Sequence, residues 1–343
     1  MSQRLTSERI QVDDSAEAVN DLFLEKGWSD GLPVIPPTED AVEKMLAGTN
    51  RNPADVVAAI PPRWGEATIE KIAINAVMAG CLPEYLPVIT TAVTAMCEEP
   101  FNLAGVQPTT HPSAPLLILN GPIAQKLNIN SHYGAFGPGW RSNATIGRAI
   151  RLILMNIGGG LPGKTDMSTQ GQPCKYTFCI AENEEANPWE PLHVERGFDA
   201  LTSTVTVVAA ENPHNINEHT AVTAEELLTT VATTMTNMGN NDILYQRGNP
   251  ILALGPEHAA TLAKDGFSKD DVRTFIYEHA RIPLSKFYKR AVQRYYPDRD
   301  ENALIPISGK KENLIVIVVG GAGKHSSFLP TFGMSYSVTR AIA

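Results

Sequence analysis

The sequence predicts an α/β fold, a layered sheet with helices on both faces, made of two related halves. Three observations carry this. The apolar runs at 115–120, 251–254 and 314–319 are continuous rather than alternating, which marks strands buried on both faces. Helical segments alternate with them. The strand endings also repeat. Asn120-Gly121-Pro122 and Leu254-Gly255-Pro256 each lead into a helix, and Ala181-Glu182-Asn183 resembles Ala210-Glu211-Asn212. These repeats divide the chain into an N-terminal half over 1–165 and a C-terminal half over 166–343.

Taken in order, residues 15–26 form an amphipathic helix that Gly27 stops. Prolines forbid a helix over 28–37. Thr38 caps a short helix whose first turn carries Glu39 and Asp40, where they suit the dipole. A short strand at 56–60 follows. Ile69, Ile72, Ala73, Ala76 and Val77 share one face of a helix over 68–79. Gly80 stops that helix, and Pro83 starts the next, which runs to about Cys97. After the strand at 115–120 comes a helix over 144–156 with Asn143 as its N-cap, then strands at 176–183 and 205–212. Thr223 and Glu226 form the capping box of a helix closed by Gly239, and Ser268 with Asp271 opens another leading to His279. Residues 284–294 read as a basic surface helix. The acidic, irregular stretch 183–197 reads as a long loop of the kind that forms lids or interfaces, with His193, between Glu190 and Glu195, as part of a solvated charge cluster or else a candidate base.

The chain has 343 residues, with 28 basic and 37 acidic side chains and a net charge of −9. Such a chain repels phosphate, so binding to nucleic acid through bulk charge is excluded. No apolar run approaches the ~18 residues a membrane span needs, and the start lacks the apolar core of a secretory signal. The cysteines at 81, 97, 174 and 179 show no CxxC spacing. A cytoplasmic, reduced protein is expected, and a homo-oligomer.

The most distinctive segment is Gly134-Ala-Phe-Gly137-Pro-Gly139-Trp-Arg141-Ser-Asn143 before a helix. Glycines let backbone N–H groups converge, and a helix N-terminus attracts anions. Gly137, Gly139, Arg141, Asn143 and Arg148, with Arg151 nearby, would then hold a carboxylate or phosphate; a plain glycine turn is the alternative. Ligands of open α/β sheets sit beyond the carboxyl ends of the strands. That places Glu182, Glu211, His214, Lys324 and His325 as acid, base and charge-stabilising candidates. Asn183, Asn212, Glu257 and His258 stand there too. Cys81, between two helices, is a candidate nucleophile or a small buried residue. His214 and His219 would share a face only on a helix, which Pro213 opposes. No metal-ligand motif is present, and a divalent metal on scattered strand-end ligands stays open.

Three stretches and the ending 320–325 resemble a family associated with UGSC-motif proteins, in which selenocysteine or cysteine precedes Gly-Ser-Cys. The stretches are 73–88, 132–148 and Gly255-Pro-Glu-His258. The resemblance implies a thiol- or selenol-linked redox or bond-cleaving role, with a thiol-active partner protein. This chain has no Cys-Gly-Ser-Cys, so such a group would come from another chain.

The expected function is a small-molecule enzyme of lyase type. It would act on an anionic metabolite by elimination or carbon–heteroatom bond cleavage, using acid/base chemistry. A metal-dependent hydrolase or lyase, and a non-catalytic binding subunit, are the alternatives.

Overall fold

Two four-stranded sheets stack face to face, and helices cover the outer face of each. The computed structural model describes residues 5–343; residues 1–4, where the secretory-signal reading starts, lie outside the described residues. The first sheet holds β1 (Ala114–Asn120), β2 (Cys179–Ala181) and β3 (Thr204–Ala210). The second holds β4 (His214–Asn217), β5 (Ile251–Leu254), β6 (Ile315–Val318) and β7 (His325–Leu329). A last strand, β8 (Val338–Ala341), returns to the first sheet. The orders are β8-β3-β1-β2 and β6-β5-β7-β4.

Successive side chains of a strand point to opposite faces. Leu116 and Ile118 of β1 therefore meet Ile251, Ala253 and Ile317 between the sheets, while Leu117 and Leu119 face the first helical layer. Leu252, Leu254 and Val316 face the second helical layer. Both faces need apolar residues, and the runs are continuous for that reason. The α/β character is as expected. Each sheet has helices on one face and the other sheet on its second face, because a continuous run records burial without recording what does the covering.

On the first side lie α1 (Ala16–Glu25), α2 (Glu39–Leu46), α3 (Ile69–Ala79), α4 (Leu86–Met96) and α5 (Arg141–Asn156). On the second lie α6 (Ala224–Met235), α7 (Pro256–Lys264) and α8 (Lys269–His279). The order α4, β1, a short helix Pro122–Lys126, α5, β2, β3, β4 recurs as α6, β5, α7, α8, β6, β7, β8. Pairing recurs with it. β1 is parallel to β2 and antiparallel to β3, as β5 is to β6 and β7.

The final strand of each unit is exchanged: β4 pairs with β7, and β8 pairs with β3. Where the chains cross, Glu211 N donates to Pro330 O and Phe332 N to Ala209 O, both at 2.8 Å. The repeats therefore cover about 86–217 and 224–341, and the division at 165/166 is corrected. It would part β1 from β2, β3 and β8 of its own sheet.

Several element boundaries also differ from expectation. α5 begins at Arg141 behind Trp140, so Asn143 lies within the helix and is not its cap. A 3₁₀ turn at Pro173–Lys175 delays β2 to Cys179. α6 ends at Met235, before Gly239. The basic segment is a 3₁₀ turn, Leu284–Lys286, and a separate helix, Lys289–Tyr295. Both capping boxes form. No helix among the described residues is long and apolar enough to cross a membrane.

Candidate functional site

The C-terminal ends of the parallel pairs β1–β2 and β5–β6 meet, with Asn183 N donating to Val318 O at 2.7 Å. β5 leaves its sheet at Gly255, where a Cβ would lie 2.1 Å from the His325 carbonyl oxygen; glycine is required for β7 to start there. In the first turn of α7, His258 is buried. Its Nε2 donates to Glu218 O at 2.9 Å, and its Nδ1 accepts from Ser326 Oγ at 2.7 Å. Burial lowers the pKa of His258, keeping the ring neutral as these bonds require. His258 is thus a fastener for the 218–219 loop.

That loop is fastened from its other side as well. Glu218 accepts from Thr220 Oγ1, Thr220 N and Ala221 N, and from Thr230 Oγ1, which holds its carboxyl at about 2. His219 therefore stands on a rigid turn. Its Nε2 lies 3.3 Å from Nε2 of His325, the rings edge to face. Asn215 Oδ1, on β4, is 3.0 Å from His325 Nδ1. An amide oxygen only accepts, so Nδ1 of His325 carries a hydrogen, and in the neutral ring Nε2 presents a lone pair. His219 Nε2–H then donates to it. Both rings are exposed, and Lys324 Nζ donates to His219 O at 3.0 Å. Lys324 has no carboxylate within salt-bridge distance among the described residues.

The glycine turn 320–323 joins this pair to the 131–139 loop. Gly320 N donates to Ser131 O at 2.8 Å, and a Cβ on Gly321 would strike the Tyr133 ring at 2.2 Å. Asn183 Nδ2 donates to Gly320 O (3.0 Å) and to His132 Nδ1 (3.2 Å). The two glycine-rich segments singled out in the sequence thus form one rim.

Lys324 and His325 come together there; the other expected catalytic residues do not. Glu182 is enclosed, accepting from Asn120 Nδ2 (2.7 Å), Leu192 N (2.8 Å) and Asn187 Nδ2 (2.9 Å). Burial pushes its pKa up and Lys269, 3.7 Å away, pulls it back; it ties the 183–192 loop to β1. Glu211 lies at the other end of β1, a seven-residue strand and so about 20 Å away. It pairs with His111 at 2.8 Å. His214 precedes Asn215 on β4 and so points to the opposite face from the imidazole pair. His193 is fully buried, its Nε2 3.2 Å from Ala200 O. Cys81 is buried, its Sγ donating to Thr145 O at 3.2 Å; burial pushes the thiol up to about 12, the reverse of a nucleophile's need.

The anion loop is corrected in the same way. Arg148 forms a two-pronged ion pair with Asp30, both bonds 2.8 Å. Arg151 is buried against Asp166 and Lys175 O. Arg141 donates to Gly80 O, the end of α3, through Nε (3.0 Å) and Nη2 (2.9 Å). Asn143 bridges Asn130 and Cys179 O with three bonds. Gly137 and Gly139 lie in an exposed turn. Arg148 and Arg151 are neutralised by carboxylates within the fold, whereas Arg141 is exposed and bonds only to a backbone carbonyl.

His132 and Asn215 were not singled out, and His219 only as a mate of His214. No local signal could find them, since the pairing of β4 with β7 joins residues far apart in sequence. No protein-family model matches this chain, and no curated protein sequence matches it either.

Proposed function

We propose that the chain is an enzyme acting on a small anionic metabolite, with its chemistry at the rim formed by 131–139, 320–325 and 215–219. The observation that carries the reading is the imidazole pair His219–His325, 3.3 Å apart, with Asn215 fixing one tautomer. A proton taken from the substrate at Nδ1 of His219 lets its Nε2 proton pass to Nε2 of His325, and the reverse transfer returns one proton to the substrate. Lys324 supplies the positive charge for a substrate carboxylate or phosphate, or for negative charge developing during elimination. Cys81, Glu182, Glu211, His214, Arg148 and Arg151 are held away from this rim or neutralised elsewhere and are given no part in the reaction.

A panel of small carboxylates and phosphates, scored for turnover, tests this. His325→Ala and His219→Ala should each lower the rate at least ~100-fold, the range for lost acid–base catalysis. Cys81→Ser should stay within a few-fold of the parent. Equal turnover in parent and His325→Ala would remove the pair from the mechanism.

A second reading has one specific observation behind it. Two nitrogens on a tetrahedral zinc ion, each about 2.0–2.1 Å from it, stand about 3.3 Å apart, which is the spacing of His219 and His325. Asn215 would then be the outer partner that orients a ligating ring. No group of three or more metal-ligating side chains occurs among the described residues, so water or substrate would complete the shell. Activity that rises with stoichiometric zinc and vanishes on chelation favours this reading; activity indifferent to both favours the first.

A further inference from the structure

Away from the rim, a cavity lies in the outer helical layer of the first sheet. It measures about 550 Å³, within the size range of small-molecule sites. Its walls come from Val19 and Phe23 of α1, Trp28, Ile74 and Met78 of α3, and Ile157 after α5. Phe23 and Trp28 meet edge to face, 5.6 Å between centroids, making one wall rigid. Most of the lining comes from segments that precede the repeated units, with Asn156 and Ile157 contributed by the end of α5 and the residue after it.

The cavity is roofed by an irregular strap over 7–12. Glu70 pins the strap, accepting from Ser7 N (2.8 Å), Thr6 N (3.0 Å) and Thr6 Oγ1 (3.0 Å). Arg9 adds an ion pair with Glu39. Between these ties, Ile10 and Val12 line the cavity yet remain 43% and 42% exposed. Apolar side chains turned toward a space they do not fill are what a bound apolar molecule would cover.

The lining also defines the ligand. Its charged residues are Glu8, Arg9, Glu39 and Lys71, two of each sign. Arg9 and Glu39 pair, and Lys71 Nζ donates to Glu66 O. The lining thus carries no excess charge to attract an ion. Asn75 and Asn156 are its amides. Asn156 donates to Asn75 Oδ1 (2.8 Å) and Trp28 O (3.0 Å), while its own Oδ1 is buried without a partner.

We infer that this cavity is a binding site for a neutral, largely hydrocarbon small molecule, held under the 7–12 strap against the Phe23–Trp28 wall. The site is separate from the rim and does not rest on the proposed reaction.

The test uses the full chain and the neutral dye Nile red. One equivalent should bind with blue-shifted, enhanced emission. Ile74→Trp, which fills the cavity from α3, should weaken binding at least tenfold. Val12→Trp, on the exposed strap, should do the same and keeps the test decisive if the first variant fails to fold. 1-Decanol should displace the dye at least tenfold better than decanoate. Absence of dye binding to the parent, or undiminished binding in the folded variants, would overturn the site. Displacement by decanoate as good as by decanol would overturn the neutral-ligand assignment.

Discussion

Asp242 lies in the short helix Asn241–Tyr245 with none of its surface exposed. One carboxyl oxygen accepts from Thr331 N at 2.8 Å and the other from Thr331 Oγ1, which fastens the helix to the crossing at 330–332. Burial raises its pKa well above the ordinary carboxyl value, more than these bonds lower it. The folded chain therefore keeps a proton that the unfolded chain releases. Stability from this group is full below the ordinary carboxyl value, near pH 4, and is lost as pH rises through the raised folded value. Asp242→Asn cannot titrate. Urea midpoints between pH 4.5 and 8 should show wild type gaining on Asp242→Asn as pH falls; a constant gap would contradict this.

At the scale of elements, α5 shows how much of the site could be read from sequence. The glycine loop, a helix after it and three arginines are visible in the sequence, although the helix starts at Arg141 and not behind Asn143, and the segment before it borders the rim. Their roles were not readable, because each partner is distant in sequence. Arg148 meets Asp30, Arg141 meets Gly80, and Asn143 reaches Asn130 and Cys179. A sequence shows the charge of an arginine but not the carboxylate that neutralises it. If Arg148 is a fastener, Arg148→Ala leaves Asp30 buried without its partner and should cost about 3–5 kcal/mol of stability. Chemical denaturation measures this, and a loss below about 1 kcal/mol would free Arg148 for ligand binding.

At the scale of the molecule, the continuous apolar strands and repeated Gly-Pro turns gave the fold class and the existence of two units. The exchange of β4 and β8 was hidden, because neither short strand carries a pattern that names its neighbour. Its consequence is cooperativity: each sheet needs a strand from the other unit, and the sheets share the core of Leu116, Ile118, Ile251 and Ile317. A single unfolding transition is expected by both calorimetry and circular dichroism. Fragments 1–165 and 166–343 made separately should lack amide protection in β1 and β3. A protected, cooperatively folded 1–165 fragment would contradict the exchange.

The rim joins these scales, since β4 brings Asn215 and the 218–219 turn of one unit to His325 of the other. The proposed chemistry requires this junction to hold one proton between two imidazoles. Long-range ¹⁵N–¹H NMR of the ¹⁵N-histidine-labelled chain locates that proton. His325 should carry its hydrogen on Nδ1 and His219 on Nε2, with Asn215→Ala releasing the His325 preference. A His325 ring with its hydrogen on Nε2, unchanged by Asn215→Ala, would contradict the account.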